Sequence, residues 1–262
     1  VFIFVDKFPV RCYIKGKSGG EPMAVIYEPK GKAREYSPLA INLYEGCGHG
    51  CVYCYARMIR KKKMEQFVDA KPRVDILGKL GNDLAKWTGK KDSCLLCFMC
   101  DPYQPIDVDL KLTRLAIRAL NRHGFPVQIL TKGGMRAARD FDILSQNTGN
   151  KFAVTLTTDD PAESSQWEPG ATLPGERIES LKQAHEIGIE TWVSFEPVFN
   201  PNAVYRLINA THSFVDLYKV GKLNYHSRAK EIDWREFRIK TEKLLTSLSK
   251  KYYIKDDLRA FV

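Results

Sequence analysis

Cys47, Cys51 and Cys54 stand in the run Gly46-Cys-Gly-His-Gly-Cys-Val-Tyr-Cys-Tyr-Ala-Arg57, a C-x3-C-x2-C spacing packed into eight residues. A segment that short can wrap three thiolates around one object, but it cannot usefully bridge them to each other. Iron–sulfur clusters are normally held by four thiolates. Three on a [4Fe–4S] cube would leave one iron without a protein ligand, open to a small molecule. That open corner would turn an electron carrier into a catalyst. Zinc is a weaker reading. A structural zinc site wants four ligands, commonly as separated C-x2-C pairs, and His49 lies between two of the cysteines, where its reach is strained. A disulfide framework suits short secreted chains, and this chain has 262 residues and an odd seven cysteines.

The stretch resembles the signature of the radical S-adenosylmethionine (radical SAM) superfamily. The longer run Asn42–Arg57 is similar to the spore photoproduct lyase-like (DNA repair photolyase-like) branch. Later segments agree with that branch: Asp101-Pro-Tyr-Gln-Pro105, Leu130-Thr-Lys132, Thr157-Thr-Asp159, Glu168-Pro-Gly170, Glu176-Arg177 and Gly221-Lys-Leu-Asn224. The resemblance covers residues from about 39 to 225. It implies a [4Fe–4S] cluster on Cys47, Cys51 and Cys54. It also implies S-adenosylmethionine on the open iron, reductive cleavage of its carbon–sulfur bond, and hydrogen abstraction by a 5′-deoxyadenosyl radical. An electron donor such as flavodoxin or ferredoxin is then expected. Tyr53 is similar to an aromatic that packs on adenine, and Tyr55 resembles a tyrosine that assists hydrogen relay in the lyases. Lys132 matches a lysine that contacts the SAM carboxylate, where a point charge is complementary.

These groups need a scaffold, and the chain alternates apolar β-like runs with amphipathic helical stretches. Strands are expected at 39–44, 94–100, 127–131, 152–157, 190–196 and 214–220. Helices are expected at 76–87, 110–123, 136–145, 174–187, 201–210 and 233–250. Leu77, Leu80, Leu84 and Trp87 illustrate the helical spacing. Six βα units in series imply a parallel sheet with right-handed crossovers. Six do not close a full eight-fold barrel, so the fold class is α/β: a partial (β/α)6 barrel of the radical SAM type, with an N-terminal extension. The divisions are an extension over 1–38, the barrel over 39–250 and a C-terminal tail over 251–262. Turn signals at Lys17-Ser-Gly-Gly20 and Glu28-Pro-Lys-Gly31 mark the extension.

In parallel α/β proteins ligands collect at the carboxyl ends of strands, and every motif above falls there. Thr155 and Thr157 share a strand face and are candidates for ribose or methionine contacts. Asp101, Glu196 and Lys222 are charged groups at strand ends that need partners, which SAM or substrate would supply. Cys94, Cys97 and Cys100 suggest a second cluster, but on one strand Cys94 and Cys100 face one way and Cys97 the other. The lyases place a hydrogen-donating cysteine near the end of the second strand. Cys97 and Cys100 both qualify, with Cys100 nearer the strand end. His49 and Arg57 match branch positions with supporting roles.

Formal net charge is +10, compatible with a polyanionic partner such as DNA. Arg60-Lys-Lys-Lys63 is the densest basic run, either a solvated helix face or an edge that contacts phosphate. No apolar run approaches the ~20 residues that span a bilayer, and the opening Val-Phe-Ile-Phe-Val is short for a signal-peptide core. Free thiols and an oxygen-sensitive cluster suit the reducing cytoplasm. The expected function is a radical SAM enzyme that reverses a thymine photolesion in DNA. The alternatives are the same chemistry on a nucleotide, peptide or metabolite, and an iron–sulfur protein without turnover. Against the first stands the short segment Tyr225–Asp233, which leaves no room for the lesion-probing hairpin of the lyases.

Overall fold

A computed structural model describes residues 24–224 and 226–262. The turn at Lys17–Gly20 lies outside them. Nine strands are present among the described residues: β1 (Leu39–Ile41), β2 (Tyr44–Glu45), β3 (Lys71–Pro72), β4 (Cys94–Leu96), β5 (Val127–Thr131), β6 (Lys151–Thr155), β7 (Glu190–Phe195), β8 (Leu217–Val220) and β9 (Lys251–Ile254). Seven form one sheet in the order β1-β4-β5-β6-β7-β8-β9, and every pairing in it is parallel. β2 and β3 form a separate antiparallel pair.

Alternation along the strands sorts side chains onto two faces. Large residues such as Ile41, Ile129, Phe152, Val193 and Phe195 join the helix-side core. Ala40, Leu95, Ala153 and Trp192 form a second, smaller cluster on the opposite face. Small residues there suit a sheet whose strands curl toward one another. Helices cover the outer face, and burial of each large aliphatic or aromatic side chain in that layer contributes about 1.5–3 kcal/mol. Residues 24–41 reach this inner face, where Tyr27 bridges to Ala40 and both Tyr27 and Tyr36 pack on the Ala40–Trp192 cluster.

The expected α/β partial barrel is present, but its elements differ in places, and the first expected strand, 39–44, ends at Ile41. The sheet has seven strands, because Lys251–Ile254, placed in the tail by sequence, pairs with β8. β4 stops at Leu96 instead of running to Cys100. There the Asn42 Oδ1 accepts the N–H groups of Phe98 and Met99, at 2.9 and 2.7 Å, and turns the chain out of the ladder. A helix at Pro161–Trp167, absent from the expected set, starts on an Asp160 cap whose Oδ1 accepts the N–H groups of Ala162 and Glu163.

Candidate active site

The cysteine loop follows β2 and leads into the helix Tyr55–Ile59, with Cys54 as its N-cap residue. Cys47, Cys51 and Cys54 are free thiols, each partly accessible. The loop curls on itself: Gly50 N–H donates to the Cys47 carbonyl and Cys54 N–H to that of Cys51. Burial pushes the Cys51 thiol up to about 12, and Cys54 and Glu168 act in the same direction. No three His, Cys, Asp or Glu side chains among the described residues could hold a single metal ion.

Rim groups fix the loop from several sides. His49 is buried, with Nδ1 3.4 Å from Asp101 Oδ2 and Nε2 3.2 Å from Arg136 Nη1. Gly48 N–H donates to Gln104 Oε1 at 2.8 Å. Gly170 N–H donates to the His49 carbonyl at 2.8 Å. The branch motifs around Asp101 and Glu168 thus act as braces for the cysteine loop.

Asp101 is a brace rather than an open ligand. Its Oδ1 accepts from Tyr103 N–H and Thr131 Oγ1, and its Oδ2 from Lys132 N–H at 2.8 Å. Burial alone would raise its carboxyl, but His49 and these donors hold it well below the usual carboxylate range. With His49, all four lone-pair positions are taken.

Tyr53 and Lys132 lie together, with the Lys132 Nζ 5.6 Å from the Tyr53 ring centroid. The Tyr53 hydroxyl donates to Glu168, which is ion-paired to Arg177 at 2.6 Å. Burial would lower Lys132, but Cys51 and Glu168 raise it above its ordinary value. The ammonium therefore stays charged beside the cysteine loop. Thr155 is buried, and its carbonyl accepts from Arg177 Nη1 at 3.1 Å. Thr157 is also buried, and its Oγ1 has no partner among the described residues. An unpaired buried hydroxyl costs about 1–3 kcal/mol, so this one fits a site completed by a bound molecule.

Across the rim, Tyr55 donates to the Phe98 carbonyl at 2.6 Å. It thereby ties the cysteine segment to the turn that carries Cys97 and Cys100. Because β4 ends at Leu96, these two cysteines do not alternate as strand residues. Cys97 is buried, while Cys100 is partly accessible. Cys94 is fully buried in the helix-side core, which also takes in Cys97.

Two expected rim residues meet protein partners. Glu196 faces Tyr36 and Lys255, whose Oη and Nζ each lie 2.6 Å from its Oε2. Lys222 Nζ lies 5.2 Å from the Phe261 ring centroid and 6.0 Å from that of Trp234. Arg57 supports its own segment through the Lys62 carbonyl at 3.4 Å. Sequence reading missed Tyr36 and Lys255, which meet Glu196 only across long stretches of chain and carry no local motif.

Three braced thiols, a charged lysine and an unpaired threonine hydroxyl share one strand-end rim. The sequence model of the Radical SAM superfamily matches residues 41–209. The chain belongs to the radical SAM superfamily. Within it, the chain is 28% identical over 190 residues to an uncharacterized protein of Methanocaldococcus jannaschii, covering 70% of each. It is also 28% identical over 171 residues to an uncharacterized protein of Mycobacterium tuberculosis, covering 60% of this chain and 48% of that one. Two solved structures share the fold at 13% identity. One is spore photoproduct lyase complexed with dinucleoside spore photoproduct, with a TM-score of 0.66 over 90% of this chain and 80% of that one. The other is Streptococcus suis SuiB bound to S-adenosylmethionine, with a TM-score of 0.63 over 85% and 51%. The chain spans about half the length of SuiB and of the mycobacterial relative.

Proposed function

We propose that this radical SAM enzyme carries a [4Fe–4S] cluster on Cys47, Cys51 and Cys54 and abstracts hydrogen from a thymine photolesion in nucleic acid. Bound there, the cluster and S-adenosylmethionine would supply the electron and the 5′-deoxyadenosyl radical that start the reaction. Lys132 holds a positive charge for the methionine carboxylate. Thr157 offers its unpaired hydroxyl, and Tyr53 presents a ring fixed by Glu168. His49, Asp101, Gln104 and Gly170 keep the loop in shape, which limits reorganisation.

The observation that carries the lyase-type reading is the placement of Cys100. Its thiol is partly accessible, on the turn that the Tyr55 hydroxyl ties to the cysteine segment through the Phe98 carbonyl. A thiol there can return hydrogen to a substrate radical, with Tyr55 alongside as relay. The net positive charge suits a DNA strand.

A second reading, the same chemistry on a nucleotide, peptide or metabolite, is favoured by one feature. From Ser227 to Lys230 the chain is a single 3-10 turn followed closely by the helix Trp234–Ser247, and no hairpin is present there.

Anaerobic reconstitution, reduction and addition of S-adenosylmethionine should yield 5′-deoxyadenosine. DNA carrying the spore-type thymine dimer should then be repaired. An intact cluster that releases no 5′-deoxyadenosine would sink the proposal. Turnover without any response to that DNA would leave the second reading.

A further inference from the structure

Glu196 sits just beyond β7, and its carboxylate is held from one side only. The Tyr36 hydroxyl donates to Oε2 at 2.6 Å, and Lys255 Nζ donates to the same oxygen at 2.6 Å. Lys255 is buried, lies 4.4 Å from the Tyr36 ring centroid and reaches Glu35 Oε2 at 3.4 Å. The Tyr36 hydroxyl also meets Ser194 Oγ at 3.1 Å. No protein donor contacts Oε1 in the described residues, and the Glu196 side chain retains 19% exposure. Space for the carboxylate depends on Gly221, where a Cβ would stand 2.8 Å from the Glu196 Cδ.

This arrangement faces the reacting side of the rim. Tyr36 packs edge-on against Phe98 at 6.0 Å, and the Phe98 carbonyl accepts the Tyr55 hydroxyl. Through Tyr36 and Phe98, Glu196 is thus linked to the turn that carries Cys97 and Cys100 and to the Tyr55 hydroxyl bound there.

The charges decide what it would take. Lys255 bridges the Glu196 and Glu35 carboxylates, so the cation position beside Glu196 is already taken by its ammonium. What remains is a rigid hydrogen-bond acceptor. Such a group favours a ligand with a neutral N–H and rejects one that leaves it unpaired.

We propose that Glu196 is a substrate-reading residue that accepts the imide N–H of a pyrimidine lesion, with Tyr36, Lys255 and Gly221 setting its position. The inference rests on the lyase-type reading above and names the substrate group that the site recognises. It moves Glu196 from the cofactor to the substrate.

The test uses reconstituted holoprotein with S-adenosylmethionine and two probes: the dinucleoside spore photoproduct and its N3-methylated form, which lacks the donor. Equilibrium binding to the native chain should favour the unmethylated probe by about tenfold or more. Glu196→Gln should abolish that preference. Lys255 can only donate, so the Gln oxygen must face it and the amide NH2 must face the probe. Gly221→Ala, which displaces the carboxylate without changing its charge, should also abolish it. Thermal unfolding of each variant checks the fold, and either variant alone suffices if the other fails to fold. Equal binding of the two probes to the native chain, binding of neither, or a preference that survives Glu196→Gln would overturn the proposal. Release of 5′-deoxyadenosine by the native chain is scored separately. Its absence defeats the proposed function, whereas its presence with equal probe binding defeats only the role of Glu196.

Discussion

A Cβ on Gly170 would stand 2.1 Å from the Gly48 carbonyl oxygen. The Glu168-Pro-Gly170 turn and the cysteine loop therefore touch backbone to backbone, with the Gly170 N–H to His49 carbonyl bond sealing the contact. Gly170→Ala must push the two segments apart. Overpacking of this kind costs about 1–3 kcal/mol, and here the displaced element bears the cysteines of the proposed cluster. Iron content after reconstitution should fall along with the unfolding midpoint, and an unchanged iron content would contradict the bracing role.

Replacing Cys51 with Ala should reduce bound iron and sulfide to background. Cys94→Ala should leave both near the native level, because Cys94 is fully buried in the helix-side core. Metal analysis of the two variants side by side checks this.

Arg177 is buried and makes its polar contacts with Glu168, Thr155 and Thr172. Arg177→Met would strand the Glu168 carboxylate in the interior. Breaking a buried pair in this way costs about 3–5 kcal/mol, measurable by denaturant unfolding. Tyr53 would also lose its fixed acceptor.

Lys219 provides a pH test. Burial lowers its ammonium to about 8, against about 10.4 in an unfolded chain. Between those values the unfolded state binds more protons than the native state. Stability contributed by this group must therefore rise with pH across that window and be lost as pH falls through about 8. Relative to Lys219→Met, the native chain should gain up to about 3 kcal/mol between pH 8 and 10.5. A flat difference in unfolding free energy over that range would contradict the assignment.

Under the lyase-type reading, Cys100→Ala should still release 5′-deoxyadenosine while repaired thymine falls by roughly tenfold or more. Cys97→Ala should have the smaller effect, since Cys97 is buried whereas Cys100 is partly accessible. Product analysis by mass spectrometry distinguishes the two, and equal yields from both variants would remove Cys100 from the role of donor.

Local signals in the sequence located what local physics controls. β5 was expected with its observed bounds because an apolar run there is bracketed by Pro126 and by Gly133-Gly134. Cys47, Cys51 and Cys54 and the residues that brace their loop fall in short motifs, so the loop's place beside the strand ends was legible. Cys97 was misread because alternation was extended past Leu96, where the side chain of Asn42, some 56 residues away, ends the strand. β9 was missed because Lys251-Tyr-Tyr-Ile254 is short and charged at its start, and its partner β8 lies beyond a whole helix. Glu196 was expected at the rim, but its partners Tyr36 and Lys255 lie 160 and 59 residues away in sequence. Pairings at that separation leave no trace in periodicity or spacing.

The position of Lys255, directly after the seventh strand, links the order of synthesis to the readiness of the pocket. A chain emerging from the ribosome can lay down its thiol loop and six strands early. The countercharge for Glu196 arrives only when the closing strand zips onto its neighbour. Under the role proposed for Glu196, loosening that strand should disturb substrate choice before it disturbs cluster loading.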